Sequence, residues 1–102
     1  MRSCRFGLGS EYSIPELPGV YFIQDKRSRR ILYIGRTINL RTRFRRHLRK
    51  THNWRLQYNI AGNEDATFSY ELTISNKEMI EKEKEYIQKY NPLCNEIRYA
   101  TN

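Results

Sequence analysis

The chain has 102 residues, 38% of them hydrophobic, and a formal charge of +8. That length suits one domain and can bury a core without disulfides or metals. So little apolar content calls for a small core under a heavily polar surface, and no apolar run approaches the roughly 20 residues a membrane-spanning helix needs.

The charge is unevenly placed. Residues 26–50 carry 11 of the 19 Lys and Arg and no Asp or Glu. A basic segment this dense suits a polyanion, most simply nucleic acid. An anionic membrane, an acidic protein and a merely solubilising surface are the competing readings. Cys4 and Cys94 stand alone near opposite ends, and no Cys/His cluster has zinc-ligand spacing. The opening MRSCRFGLGSEYS lacks the apolar stretch of a signal peptide, so a soluble cytosolic protein is the expectation.

No internal repeat or low-complexity linker divides the sequence. Residues 1–13 read as a loose leader. IPELPG, residues 14–19, is a Pro-punctuated entry to the fold. GVYFIQ (19–24) and ILYIG (31–35) read as strands joined by the polar turn DKRSRR, hence a hairpin. A period of two puts Tyr33 with Ile31 on one face and Leu32 with Ile34 on the other. Asn39 can cap a helix over residues 40–50, with Leu40, Phe44 and Leu48 as its apolar stripe. Arg43 and His47, four apart, run along one edge of that stripe, while Arg41, Arg45, Arg46 and Arg49 point elsewhere. Residues 53–62 suggest a short helix with Trp54, Tyr58 and Ala61 on one side and Gly62 at its end. ATFSYELTI (66–74) alternates as a third strand. Ser75 with Glu78 forms a capping box for a last helix reaching Tyr90, and Pro92 ends it. The order β-β-α-α-β-α predicts an α+β fold: a three-stranded antiparallel sheet with helices covering at least one face.

The last helix holds four glutamates, and they are not equivalent. At about 100° per residue, Met79, Ile80, Tyr86, Ile87 and Tyr90 share one arc. Glu83 falls inside it, whereas Glu78, Glu81 and Glu85 lie opposite. A carboxylate in an apolar stripe is costly unless paired, hydrogen-bonded or bound to a cation. A salt bridge to an arginine of the basic segment, a metal ligand and a catalytic carboxylate all satisfy that condition. Tyr21, Tyr33, Arg43 and His47 are expected to converge with Glu83 on one sheet face.

These residues complete a family pattern. Gly19-Val20-Tyr21, eleven residues, then Tyr33-Ile34-Gly35 resembles the GIY-YIG nuclease signature. Arg36, the NLRTR segment ending in Arg43, His47, Glu83 and the NPLCN segment ending in Asn95 follow in the family's order. Valine for isoleucine in the first tripeptide conserves volume. The spacing from Glu83 to Pro92 and Asn95 is similar to that of the excision-repair nuclease subunit. The Arg-x-x-x-His pair looks more like the homing and restriction branches. The resemblance covers roughly residues 14–97, leaving 98–102 as a tail.

The resemblance implies hydrolysis of DNA phosphodiesters, double-stranded or branched, with one Mg²⁺ or Mn²⁺ on Glu83. Such an ion, with one carboxylate and waters, suits Mg²⁺ and can stabilise the leaving oxygen. Arg43 and Arg36 would hold the scissile phosphate. Tyr21 is favoured as base and Tyr33 as a ligand for water or phosphate, although the two are interchangeable at this stage. An ordinary tyrosine is a poor base at neutral pH, so Arg43, the ion or His47 must lower its pKa or take its proton. Asn95 would position groups by hydrogen bonding. Arg41, Arg45, Arg46, Arg49 and Lys50 would supply non-specific contacts to the DNA backbone. With no separate DNA-binding domain in view, specificity would come from DNA structure, a protein partner or a homodimer. A non-catalytic nucleic-acid-binding module and an interaction domain of a repair or recombination complex are the alternatives.

Overall fold

Four strands form one antiparallel sheet in the computed structural model, which describes residues 1–51, 53–60 and 66–95 and all their side chains except those of Lys50 and Trp54. The elements are β1 (Arg2–Arg5), β2 (Gly19–Asp25), β3 (Ile31–Thr37), α1 (Leu40–Lys50), α2 (Trp54–Ile60), β4 (Ala66–Leu72) and α3 (Asn76–Tyr90). The strand order is β1-β4-β2-β3. The ends of the helices follow the chemistry expected of them. Asn39 accepts the Thr42 N–H, Ser75 accepts the Glu78 N–H, and left-handed Asn91 closes α3 just before Pro92.

β2 is central, and its first five residues are buried on both faces. Tyr21 and Ile23 face one layer with Leu40 and Phe44 of α1, Leu56 of α2 and Phe68 of β4. Phe68 is the hub. It meets Phe44 edge-on at 5.0 Å and stacks on Tyr21 at 5.2 Å. Val20, Phe22 and Ile34 face the other layer, where Met79 and Ile87 of α3 pack. Helices therefore cover both faces.

The α+β class holds, but the sheet has four strands where three were expected. The supposed leader supplies the fourth: Arg2 pairs with Tyr70 and Arg5 with Thr67. A short, polar edge strand shows little apolar alternation, because its side chains need not face a core. Further along the leader, Phe6 is buried, and Arg45 of α1 lies 5.9 Å over the Tyr12 ring.

A second difference lies inside β3. Ile23 pairs with Tyr33 but Gln24 with Ile31, so Leu32 is an extra residue in the ladder. The bulge breaks the period of two. Leu32 and Tyr33 both pack with the α1 layer, while Ile31 and Ile34 go to the α3 layer. The apolar stripes are also narrower than projected. Ile80 is 45% exposed, Tyr90 42% and Tyr58 79%, while in α2 it is Leu56 that is buried, with Ile60 packed beside it. Ala61, Gly62 and the tail after Asn95 lie outside the described residues.

β3 ends the strand order, yet part of its outer edge is covered. The segment after α3 runs beside it. There the Leu93 N–H donates to the Ile31 carbonyl at 3.2 Å and the Cys94 N–H to the Leu32 carbonyl at 2.7 Å.

Candidate active site

Tyr21 is placed by its strand. Its partner across the ladder is Gly35 of β3, and the phenol lies over that glycine toward the β3 edge. Phe68 stacks on the ring, which is fully buried. The hydroxyl is 2.7 Å from His47 Nε2. His47 is itself 7% exposed, and its Nδ1 lies 3.1 Å from Thr51 Oγ1. Tyr33, placed on the Tyr21 face by its pairing with Ile23, packs against both rings at 6.1 and 5.3 Å. Burial pushes the Tyr21 pKa well above its ordinary value, and Tyr33 adds to the rise. Arg43, one turn before His47, opposes it through its charge and a hydrogen bond to the phenol, and Glu83 raises it slightly further.

Glu83 arrives from the other side of the sheet. Its helix packs on the Val20 and Ile34 layer, and Val20 stands opposite Arg36 on β3. Arg36 therefore leaves β3 toward α3, where its guanidinium lies 3.7 Å from the Glu83 carboxylate. Glu83 is 15% exposed and Arg36 41%. Burial raises the Glu83 pKa, while the Arg36 charge and a backbone hydrogen bond at Arg36 pull it down. The expected convergence on one face is thus corrected. The tyrosines, Arg43 and His47 occupy one face and Glu83 the other, and they approach each other at the edge strand. The Arg36–Glu83 pair is also the salt bridge that the sequence allowed.

The remaining residues divide. Asn95 is buried and grips Ile34 twice, accepting its N–H at 2.9 Å and donating to its C=O at 2.8 Å. Arg41 is tied to the chain before β2, donating to Ile14 O at 2.8 Å with Glu16 4.0 Å away. Arg45 lies over Tyr12, Arg46 and Arg49 are exposed on α1, and the Lys50 side chain is outside the described residues. Two features of the site escaped the sequence reading. One is the room Gly35 leaves for the phenol, visible only once β2 and β3 are in register. The other is Thr51, whose spacing of four from His47 was a readable signal.

Residues 17–98 match the GIY-YIG catalytic domain. The chain belongs to that family. It is 32% identical over 82 residues to UvrABC system protein C of Lacticaseibacillus casei, and 35% identical over 82 residues to that of Streptococcus uberis. Each match takes in 80% of this chain but 13% of the relative, so the chain spans about an eighth of those proteins. Among solved structures, the GIY-YIG N-terminal endonuclease domain of UvrC from Thermotoga maritima, a point mutant bound to its catalytic divalent cation, superposes with a TM-score of 0.70. It is 27% identical, covering 87% of this chain and 92% of that one. The same domain bound to magnesium gives a TM-score of 0.68 at 27% identity, covering 84% and 91%.

The donors of this GIY-YIG domain fit a hydrated hard cation. Among the described residues, no three His, Cys, Asp or Glu are grouped to hold an ion. Zinc, with its three or four protein ligands, has no place among them. A single half-buried carboxylate, Glu83, suits Mg²⁺, which keeps several of its waters. Asn95 acts on the frame of the site. Asn95→Ala leaves the Ile34 N–H and C=O without these partners at the end of the covered edge. A loss of about 2–6 kcal/mol is expected in urea unfolding, since each of the two unpaired buried groups costs about 1–3 kcal/mol.

Proposed function

We propose that this chain is a metal-dependent endonuclease that nicks or cuts DNA as a stand-alone GIY-YIG domain. The observation that carries the reading is the buried Tyr21 hydroxyl, held by His47 at 2.7 Å and approached by Arg43 at the edge where Glu83 arrives. Glu83 would hold one Mg²⁺ or Mn²⁺. Bound there, the ion supplies Lewis-acid stabilisation of charge on the leaving oxygen.

The chain's own residues do the rest. Arg43 neutralises the scissile phosphate and opposes the burial that raises the Tyr21 pKa. With its own proton passed to His47 Nε2, 2.7 Å away, Tyr21 accepts a proton from the attacking water. Tyr33 orients that water or a phosphate oxygen. Arg36, half exposed beside Glu83, would contact the phosphate. Arg46, Arg49 and Lys50 add backbone contacts, with Arg41 and Arg45 supporting them from more constrained positions. A protein partner or a second copy would supply specificity. The Arg36–Glu83 pair is the observation that favours the second reading, a non-catalytic DNA-binding module in which Glu83 is structural.

Supercoiled plasmid incubated with Mg²⁺, Mn²⁺ or EDTA separates the two. Nicking that requires the cation supports the enzyme. DNA binding without cleavage of plasmid, branched or single-stranded substrates supports the module.

A further inference from the structure

The polar turn between β2 and β3 takes no part in the candidate active site. Lys26, Arg27, Ser28, Arg29 and Arg30 are all exposed there, so the turn displays four cations in five residues. Its backbone is braced from several directions. Asp25 accepts the Arg27 N–H at 3.2 Å and the Ser28 hydroxyl at 2.8 Å, and Ser28 in turn accepts the Arg30 N–H at 3.2 Å. The Gln24 amide donates to the Arg29 carbonyl at 2.8 Å, and the Asp25 N–H to the Arg30 carbonyl at 2.9 Å. Inside this frame Arg29 is left-handed, with φ 59°. Among the described residues the other non-glycine with positive φ is Asn91, a residue type that tolerates it. An arginine is strained there, and glycine would relieve the strain. A strained residue held in place by its surroundings points to a role for its side chain.

We propose that this tip is a second contact for the DNA backbone, remote from the reacting phosphate, with Arg29 as the side chain that makes it. β3 carries both ends of the arrangement. The tip precedes Ile31, and Gly35 and Arg36 lie near the other end of the strand. Arg30 and Arg36 are six positions apart, which is about 20 Å at roughly 3.3 Å per strand residue. On B-DNA, at about 3.4 Å per base pair, the tip would meet a phosphate about six base pairs from the scissile one. A long, uniformly anionic ligand reaches both ends of such an edge at once, and phosphate contacts of this kind fix its orientation. The choice of ligand rests on the reading of the chain as a DNA nuclease, but the contact does not require cleavage.

The test is fluorescence anisotropy of a labelled duplex of about 20 base pairs, long enough for that span. It is titrated in EDTA, so that no cleavage intervenes, over a range of salt concentrations. Arg29→Gly is expected to bind about five- to tenfold more weakly at about 0.1 M salt, and its slope of log K against log salt to shrink by about 0.9, as for one lost phosphate contact. The same variant is expected to melt at a higher temperature, because glycine takes the left-handed position without strain. Arg29→Lys keeps both the charge and the strained backbone, so its binding and its melting temperature stay near those of the wild type. An arginine with a structural role alone would change melting and leave the salt slope untouched. An Arg29→Gly protein that binds like the wild type overturns the contact, as does one that melts at a lower temperature. Phosphatidylserine-rich vesicles are run beside the duplex. If they bind through Arg29 and the duplex does not, the tip serves an anionic membrane and the DNA contact is overturned. Arg29-dependent DNA binding by a protein that cuts nothing with Mg²⁺ supports the contact and overturns the nuclease reading alone. Cutting by the wild type, with an unchanged salt slope in Arg29→Gly, does the reverse.

Discussion

Glu83→Gln is expected to abolish cation-dependent nicking, by at least about a hundredfold, while the protein melts at the same temperature or higher. The activity loss follows from removing the carboxylate that, among the described residues, lies at the β3 edge where a hydrated cation would bind; loss of a single electrostatic group in an active site typically costs about 10²–10³ in rate. The stability sign follows from burial. Glu83 is 15% exposed and its pKa is raised by desolvation, against the opposing effect of Arg36. A raised folded-state pKa means that the folded protein holds this proton more tightly than the unfolded chain. The stability this contributes is present below the unfolded pKa and lost as pH rises through the folded value. At pH 7 the charged carboxylate is therefore a net burden on the fold. The Arg36 partner, 41% exposed and 3.7 Å away, offsets it only in part. Glutamine keeps the shape and still accepts a backbone N–H. Thermal melts, gel shifts and plasmid nicking on the two proteins check the prediction. A variant that melts well below the wild type would make the pair a structural bridge, and a variant that still nicks would remove Glu83 from the metal site.

Gly35→Ala is expected to leave a folded protein with about a hundredfold less activity. The glycine is needed for space. Its backbone is ordinary strand, since Gly9 is the glycine with positive φ, but a Cβ would overlap the Tyr21 hydroxyl and the adjacent ring carbons. The phenol has nowhere convenient to go, because Phe68 stacks against it at 5.2 Å in a fully buried environment. Overpacking of this kind costs about 1–3 kcal/mol. The larger effect is on chemistry. A displaced phenol loses its 2.7 Å bond to His47 and its alignment with the site, and a misplacement of about 1 Å can by itself cost about a hundredfold. Circular dichroism, urea unfolding and nicking rates measure the two effects separately. Wild-type nicking by Gly35→Ala would mean that the position of the Tyr21 hydroxyl is irrelevant to the reaction.

Much of this protein was legible one residue at a time. Capping chemistry at Asn39 and Ser75 and the stop at Pro92 marked both long helices to within a residue, because helix ends are written locally in side-chain donors and acceptors. The sequence also singled out Glu83, since one charge in an apolar arc is anomalous in any fold. What it did not contain were relations between elements. β1 escaped notice because backbone pairing at a polar edge leaves little trace in side-chain pattern. The bulge at Leu32 escaped because one extra residue in a ladder is visible only against the partner strand, and it is the bulge that puts Leu32 on the face Tyr33 shares with Tyr21 and turns Ile31 to the other.

The sequence by itself determined which groups are available for chemistry: two tyrosines, an arginine and histidine one helical turn apart, and one misplaced glutamate. Only the tertiary structure decided how they meet. Periodicity assigns a residue to a face of its own element, but it cannot say which strand lies at the edge of the sheet. Because β3 is last in the order, with helices on both faces, Tyr21 and Glu83 approach from opposite sides around Gly35 and Arg36.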